Sequence, residues 1–301
     1  ARKAPASAVQ AISSVTMLPL IPNPGKIVCM GLNYADHAKE GGNARPEYPS
    51  FFLRGNSSMV GHNQAIVRPK ASTQLDYEAE LAVIIGKQAR HLTAENALEC
   101  ISGYSCFNDG SIRNYQRKSS QWTIGKNFDG TGPFGPCLVT PEELPPGAAG
   151  LRIQSRLNGK VMQDANTDVF LWNVVEALRI ITECMTLEPG DVIITGTPAG
   201  VGYARTPPVW MAPGDICEIE VEGVGIFEVA EEGTANMVKL SALEINKDGG
   251  IYGTYGQVVT KLGQIGLANF ANPSGLTALG GGIFLPSPSS GTAQNQIAGT
   301  N

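Results

Sequence analysis

Short apolar runs, separated by turn-forming residues, are the dominant pattern of the chain up to about residue 233. Runs of this length, rich in β-branched and aromatic residues and bounded by Gly, Pro, Asn or Asp, are typical of β-strands. The pattern predicts strands at residues 26–30, 50–54, 77–85, 101–108, 151–157, 191–195, 216–222 and 225–230. Asn158-Gly159 follows one of these runs, and this dipeptide predicts a tight two-residue hairpin.

Helical periodicity is rarer. Asp168 is a candidate N-cap for a helix over residues 169–184, where apolar residues recur on one face. Thr93 is the candidate cap of a shorter helix that ends at Glu99. Because strands are many, helices few and strand–helix alternation weak, we expect a β-rich α+β fold.

The composition changes near Thr234. Beyond it charged residues become rare, and Gly, Asn, Ser and Thr dominate. Such a sequence buries little apolar surface, so we expect a weakly structured C-terminal extension with one strand near residues 262–268. The chain is thus divided into an N-terminal arm (1–24), a globular domain (25–233) and a C-terminal segment (234–301).

Charge and cysteine usage narrow the class of protein. The 301 residues carry a formal net charge of −5, which argues against a nucleic-acid partner or an anionic membrane. No apolar run reaches the ~20 residues of a membrane-spanning helix.

Six cysteines without a Cys-x-x-Cys motif favour reduced thiols and a cytoplasmic setting. Polar Ser13, Ser14 and Thr16 interrupt the N-terminal stretch, so we expect no secretory signal, and Ala1 suggests a processed or truncated product.

Three acidic residues form the first candidate site. In a strand, Glu78 and Glu80 point to the same face, and the apolar run after them indicates a buried strand. Adjacent buried carboxylates are costly unless a cation compensates them. Asp109, after the next predicted strand, completes an all-oxygen set suited to a hard divalent cation. The alternatives are a solvated strand face for the glutamates and a helix N-cap for Asp109.

His37 and Glu40 form the second candidate site. On a helical turn these residues share a face, so the carboxylate can orient the imidazole as a general base. The alternative is an ordinary surface pair. Arg113 is a candidate for a bidentate contact with a substrate carboxylate, and Lys126 for a contact with an oxyanion. Their alternatives are a structural ion pair and a solvated turn lysine.

A glycine-rich loop at residues 195–202 follows the predicted strand 191–195. Its glycines permit close approach of the backbone to a ligand. It differs from a dinucleotide-binding loop because Pro198 lies inside it and no long helix follows. We therefore exclude NAD as a cofactor.

Together these motifs resemble the fumarylacetoacetate hydrolase superfamily, over roughly residues 24–233. The matching blocks, in chain order, are residues 31–40, Phe51-Phe52, 76–81, Gly103-Tyr104, Asn108-Asp109, Arg113 with Gln116, Gly125-Lys126, Gly135-Pro136, Asn158-Gly159, Gln163, Pro189-Gly190-Asp191, 195–200 and Pro213-Gly214-Asp215. One departure is Asn114, where the family more often has an acidic residue. The resemblance implies a mixed β-sandwich roll, usually assembled as a homodimer.

The resemblance also implies roles for individual residues. Mg²⁺ or Mn²⁺ would be held by Glu78, Glu80 and Asp109. The dyad of His37 and Glu40 would activate water, with Lys126 as an electrophilic group. Substrate contacts would come from Arg113, Gln116 and Thr197.

The activity implied by the resemblance is hydrolysis of a C–C bond in an acylpyruvate-type 2-oxo acid. The same enolate chemistry also serves decarboxylation of oxaloacetate and hydration or isomerisation of a 2-oxo-alkenedioate. Retention of both His37 and Glu40 favours hydrolysis, since water must be activated.

The C-terminal segment has a separate resemblance. Residues 262–276, Leu279-Gly280 and Ser290-Gly291 are similar to the C-terminal part of flagellar basal-body rod proteins, the distal rod protein above all. This similarity extends over residues 238–300. It implies a chimeric chain and leaves a structural assembly protein as an alternative function of a different class.

Overall fold

The computed structural model describes residues 16–230, with side chains as far as residue 225. Further along it describes the backbone of residues 240–245, 250–255, 258–264, 266–269, 277–280, 283–285 and 294–297. The chain divides into two compact units, Ala1–Gly233 and Thr234–Asn301.

The first unit is built mainly from strands. They are β1 (Ile27–Gly31), β2 (Ser50–Arg54), β3 (Met59–Val60), β4 (Leu75–Asp76), β5 (Ala79–Ile85), β6 (Ile101–Asn108), β7 (Ser111–Ile112), β8 (Gly132–Val139), β9 (Arg152–Leu157), β10 (Lys160–Asn166), β11 (Val192–Ile194), β12 (Ile216–Val221) and β13 (Gly225–Ala230). A seven-stranded sheet has the order β2-β1-β11-β5-β6-β8-β3, and a four-stranded sheet the order β10-β9-β12-β13. The larger sheet is mixed, because β1 is parallel to β11 and β3 to β8.

The α-helices of the described residues are few and mostly short. They are α1 (Ala35–Glu40), α2 (Arg113–Gln116), α3 (Thr123–Lys126) and α4 (Val174–Cys184). None of these helices combines the length and the apolar character that crossing a bilayer requires. The predicted β-rich α+β fold is therefore confirmed.

The predicted strands agree with the structure to within one or two residues at most ends. The predicted hairpin is also present: Asn158 and Gly159 have φ of 53° and 74°, the left-handed region that a two-residue turn needs. Strand β8 was missed because its sequence, GPFGPCLV, contains two glycines and two prolines and resembles a turn.

The predicted helix over residues 169–184, capped by Asp168, begins too early. Helix α4 starts at Val174, and Asn173 caps it through a reciprocal capping box with Glu176. The preceding segment is kept out of the helix by Asn33, whose side chain accepts from Trp172 N–H (2.8 Å) and donates to Trp172 C=O (3.0 Å). A long-range tertiary contact therefore overrides the local helical pattern.

The predicted helix from Thr93 to Glu99 is also wrong. The structure has only a 3-10 turn at Ala97–Cys100. Asn96 Oδ1 accepts from the backbone N–H of Thr93 at 2.8 Å, and no side chain caps the 3-10 turn.

Strand β5 is buried on both faces. Leu81, Val83 and Ile85 belong to the main core with residues of the four-stranded sheet and α4. Ala82 and Ile84 belong to a second cluster, which includes Phe107 and Phe134. This alternation follows from the two-residue period of a strand.

In the second unit, the described strands are β14 (Leu240–Ile245), β15 (Gly250–Tyr255), β16 (Val258–Gln264), β17 (Gly266–Asn269), β18 (Thr277–Gly280), β19 (Ile283–Leu285) and β20 (Gln294–Ile297). They pair as β14-β15-β16, β17-β20 and β18-β19. The strand predicted at 262–268 falls on β16 and β17. Much of the rod-protein resemblance, including residues 270–276 and Ser290-Gly291, lies outside the described residues.

Candidate active site

The three predicted metal ligands converge where β5 begins and β6 ends. Glu78, Glu80 and Asp109 are all buried, and one carboxylate oxygen from each lies within 4.8 Å of the others. Glu78 precedes β5, whereas the prediction placed it inside the strand. The Asn108 side chain continues the pairing there, accepting from Glu78 N–H at 2.9 Å. In addition, Asp109 N–H donates to Glu78 C=O at 3.0 Å, which draws the two carboxylates together.

Lys126 and Arg113 compensate part of this negative charge. Lys126 Nζ lies 2.6 Å from Glu78 Oε2 and 2.6 Å from Asp109 Oδ2. Arg113 Nη2 lies 2.6 Å from Glu78 Oε1. Both cations are buried, so the solvated-turn alternative for Lys126 is wrong.

Arg54 is a site residue that the sequence interpretation missed. It is buried at the end of β2, and its Nη1 hydrogen-bonds Asp109 Oδ1. Its Nε donates to Ser58 Oγ at 3.1 Å and its Nη2 to Thr131 Oγ1 at 2.9 Å. The sequence did contain a signal for Arg54, because it ends an apolar strand. A guanidinium in that position needs a buried hydrogen-bond acceptor.

Asp76 is the second missed residue. Its carboxylate accepts from Arg113 Nε at 2.7 Å, Gly202 N–H at 2.7 Å and Tyr203 N–H at 3.0 Å. Arg113 is therefore held without help from Asn114, whose side chain bonds Ser72 instead. The sequence signal was the spacing: Asp76 lies two residues before Glu78 in an extended segment, so its side chain points to the same face.

The floor of the site comprises these seven buried charges: Asp76, Glu78, Glu80, Asp109, Arg54, Arg113 and Lys126. Four carboxylates face three cations, and Glu80 has no ion-pair partner among the described residues. It accepts one hydrogen bond, from Gly196 N–H at 2.6 Å. Gly196 has φ +95°, and a Cβ there would lie 2.9 Å from Met30 O, so this close approach needs glycine.

The pKa values of the two glutamates differ. Burial acts to raise the pKa of Glu78, but Arg113 and Lys126 outweigh it and lower the pKa to about 2. Burial raises the pKa of Glu80 well above its usual range, and the charges of Asp109 and Glu78 raise it further. Burial acts to lower the pKa of Lys126, but Asp109 and Glu78 raise it overall. The floor therefore disfavours the ionised form of Glu80 unless a further cation compensates its charge.

This donor set fits a hard divalent cation. Three buried carboxylates offer only oxygen, which is the ligand type that Mg²⁺ and Mn²⁺ prefer. A cation beside Glu80 would also compensate the carboxylate that the protein's own cations leave unpaired.

The predicted His37–Glu40 pair is present on α1. His37 Nδ1 and Glu40 Oε1 are 2.8 Å apart, and His37 is buried. Glu40 accepts from Gly200 N–H at 2.9 Å, which ties α1 to the glycine-rich loop. Gly200 has φ +105°, and a Cβ there would lie 2.3 Å from Met162 O. Because Nδ1 faces the carboxylate, Nε2 is the nitrogen left to exchange a proton with a substrate.

One cavity of about 300 Å³ brings most of the predicted residues together. Its lining includes His37, Glu78, Glu80, Asp109, Arg113, Gln116, Lys126 and Thr197, together with Arg117, Trp122 and Tyr203. The hydroxyl of Thr197 is fixed, since it donates to Ala79 C=O at 3.0 Å and accepts from Gln163 Nε2 at 2.7 Å. Gln116 Oε1 accepts from Arg113 Nη1 at 2.9 Å. We use the word rim for His37, Arg117 and Tyr203 of this lining, together with Glu40, which contacts His37.

Comparison with known proteins agrees with this geometry. The family model described as fumarylacetoacetate (FAA) hydrolase C-terminal matches residues 26–230. An uncharacterized protein of Archaeoglobus fulgidus is 41% identical over 216 residues, which cover 72% of this chain and 82% of that protein. The mitochondrial oxaloacetate tautomerase of Rattus norvegicus is 38% identical over 216 residues, which cover 71% and 69%.

Solved structures give the same assignment. The fumarylacetoacetate hydrolase from psychrophilic Exiguobacterium antarcticum has a TM-score of 0.66 and 41% identity, covering 72% of this chain and 78% of that one. A 2-hydroxyhepta-2,4-diene-1,7-dioate isomerase from Mycobacterium marinum has a TM-score of 0.61 and 36% identity, covering 71% and 76%. The chain belongs to the fumarylacetoacetate hydrolase family and is an enzyme of that family. The resemblance of residues 238–300 to rod proteins stays a prediction.

Proposed function

We propose that this enzyme forms and reprotonates the enolate of a 2-oxo acid, with tautomerisation or isomerisation as the net reaction. The observation that carries this proposal is a single cavity lined by both the buried acidic cluster and His37, whose imidazole is oriented by Glu40. Relatives named as an oxaloacetate tautomerase and a dienedioate isomerase support the same reaction class.

The roles of the chain's residues follow from the geometry. Glu78, Glu80 and Asp109 would hold a divalent cation, which would supply Lewis-acid polarisation of the 2-oxo group. His37 Nε2 takes a proton from C3, and the C–H electron pair moves into the C2–C3 double bond. The charge passes to the 2-oxo oxygen, which takes a proton from solvent to give the enol, while the His37 imidazolium returns its proton to solvent. Lys126, protonated and lining the cavity, stabilises that developing negative charge.

Hydrolysis of an acylpyruvate is the second candidate. The His37–Glu40 dyad favours it, because the same base can deprotonate water for attack on a distal carbonyl. The 2-oxo acid substrate, the choice of Mg²⁺ or Mn²⁺, and a homodimer in solution are parts of the proposal that follow from the family resemblance. Sedimentation of the purified chain measures the dimer directly.

A substrate panel tests the proposal. We expect the enzyme with Mg²⁺ or Mn²⁺ to speed the exchange of C3 hydrogen for deuterium in oxaloacetate, seen by NMR, and to equilibrate its enol and keto forms. Release of pyruvate from an acylpyruvate would instead identify hydrolysis, and release of CO₂ decarboxylation. If the metal-loaded enzyme catalyses neither exchange nor cleavage with any member of the panel, the proposal is wrong.

A further inference from the structure

The rim carries a cation whose charge is not balanced by any carboxylate of the described residues. Arg117 lines the same cavity as the acidic cluster, but it is exposed. The floor cations differ, because Arg54, Arg113 and Lys126 are each paired with a buried carboxylate. Arg117 contacts an aromatic ring: its Cζ lies 4.2 Å from the centroid of Tyr203.

Tyr203 is a fixed platform for this guanidinium. Its backbone N–H is bonded to Asp76, as is that of Gly202. Arg113 Cζ lies 4.5 Å from the centroid of the same ring. A Cβ on Gly41 would lie 2.5 Å from Tyr203 Oη, so the hydroxyl end of the ring is packed against the chain that follows α1. Stacking on a fixed ring restricts a guanidinium while leaving its N–H donors available.

We propose that Arg117, held on Tyr203, binds a second carboxylate at the far end of the substrate. This inference rests on the proposed function and assigns to Arg117 the recognition of the distal carboxylate of a dicarboxylic 2-oxo acid, the kind of compound that the relatives' names contain. The floor and His37 act on the 2-oxo acid end. Arg117 then supplies the charge-assisted contact that discriminates a dicarboxylate from a monocarboxylate of equal length.

Turnover of a matched substrate pair tests the assignment. Oxaloacetate and its 4-methyl ester differ in the distal charge and by one methyl group. We expect Arg117→Gln to raise KM for oxaloacetate at least about tenfold, with little change in kcat and little effect on the ester. Arg117→Lys should recover part of the loss. The control is Lys118→Gln, which removes the same charge from a neighbouring residue that stacks on Tyr115 at 3.5 Å and does not line the cavity.

Binding measurements separate this inference from the proposed reaction. Isothermal titration with Mg²⁺ present would compare 2-oxoglutarate with 2-oxopentanoate, and 2-oxoadipate with 2-oxohexanoate. We expect the wild-type chain to prefer the dicarboxylate of at least one pair about tenfold or more. That preference should disappear in Arg117→Gln and persist in Lys118→Gln, whether or not the reaction is observed.

Three outcomes overturn the assignment. Equal binding of both members of each pair by the wild type would remove the Arg117 role and leave the enolate chemistry intact. A preference that survives in Arg117→Gln would place the distal contact on another residue. Failure of the wild type to bind any of the four acids would contradict the 2-oxo acid substrate as well.

Discussion

The floor and the rim of the cavity are stabilised in different ways. Each floor cation makes two or more contacts with buried acceptors, as Arg54 does with Asp109 and Thr131. The rim residues are tied down by fewer contacts, such as the hydrogen bonds from Gly200 N–H to Glu40 and the stacking of Arg117 on Tyr203. We propose that the floor provides a fixed electrostatic environment and that the rim provides the groups that contact and select the substrate. The following predictions test this division.

The largest effect is expected at Glu80. Glu80→Gln keeps an acceptor for Gly196 N–H but removes the carboxylate that lacks a cation partner among the described residues. Activity should fall at least about a thousandfold, because loss of a metal ligand removes several kcal/mol of transition-state stabilisation. Unfolding in EDTA should show no loss of stability, and a gain of about 1 kcal/mol, because the variant lacks a carboxyl group whose ionised form the buried site disfavours. Titration with Mn²⁺ should show weaker binding.

A marked loss of stability of Glu80→Gln in EDTA would contradict the division of roles between the floor and the rim. It would mean that the Glu80 side chain stabilises the metal-free fold, in spite of its raised pKa.

Arg54 should matter most for stability. Arg54→Ala leaves Asp109 with Lys126 alone and also removes the contacts to Ser58 and Thr131. We expect the free energy of unfolding in urea to fall by about 3 kcal/mol or more, since breaking a buried ion pair leaves uncompensated charge. If the alanine variant does not fold, Arg54→Lys should give a smaller loss.

A surface ion pair provides the control for Arg54. Arg152 and Asp164 are 2.6 Å apart, but their side chains are 58% and 43% exposed. Arg152→Ala should therefore cost less than about 1 kcal/mol. Equal losses for Arg54→Ala and Arg152→Ala would show that the floor pair is no more important than a solvated one.

Glu40 should affect rate without affecting the fold. Glu40→Gln preserves hydrogen-bonding capacity toward His37 and Gly200 but removes the charge that stabilises a protonated imidazole. By analogy with residues that orient a catalytic histidine, kcat should fall about 10- to 100-fold. The urea midpoint should change little, because Glu40 is partly exposed. An unchanged kcat would remove the dyad from the mechanism.

Thiol labelling gives the smallest and most local test. Cys29 on β1 and Cys106 on β6 are buried, and burial raises the pKa of Cys106 to about 12. Both should stay protonated and unreactive toward iodoacetamide at neutral pH, while exposed Cys137 reacts. Peptide mass spectrometry measures the extent of labelling at each cysteine. Rapid labelling of Cys29 in the folded protein would show that the sheet beside the floor opens readily.

The sequence predicted the candidate metal ligands of the floor, but not the residues that hold them in place. Glu78, Glu80 and Asp109 were recognisable because paired carboxylates ahead of an apolar strand require compensation. Arg54 and Asp76 were not, since their roles depend on which strand ends meet, as when Asp109 accepts from Arg54 across 55 positions of sequence. Single-residue patterns do not encode such pairings.

The fold shows the same limit. Local alternation was enough to predict the β9–β10 hairpin, because the turn and its strands are adjacent in the chain. It was not enough for α4, where Asn33 holds Trp172 from 139 positions away and delays the helix start to Val174. Arg113 was predicted as a substrate contact, and that role stays a prediction. The structure shows its side chain engaged by Asp76, Glu78 and Gln116.

Strand β5 lies in the middle of the seven-stranded sheet, with β11 on one side and β6 on the other. Glu80 is therefore anchored to a strand whose backbone amides are shielded on both edges. Hydrogen exchange of such amides proceeds mainly through opening of the whole domain, not through local fraying. The position of Glu80 consequently depends on the stability of the entire sheet. Slow hydrogen exchange of the β5 amides would therefore indicate that Glu80 is held in place in the catalytic centre.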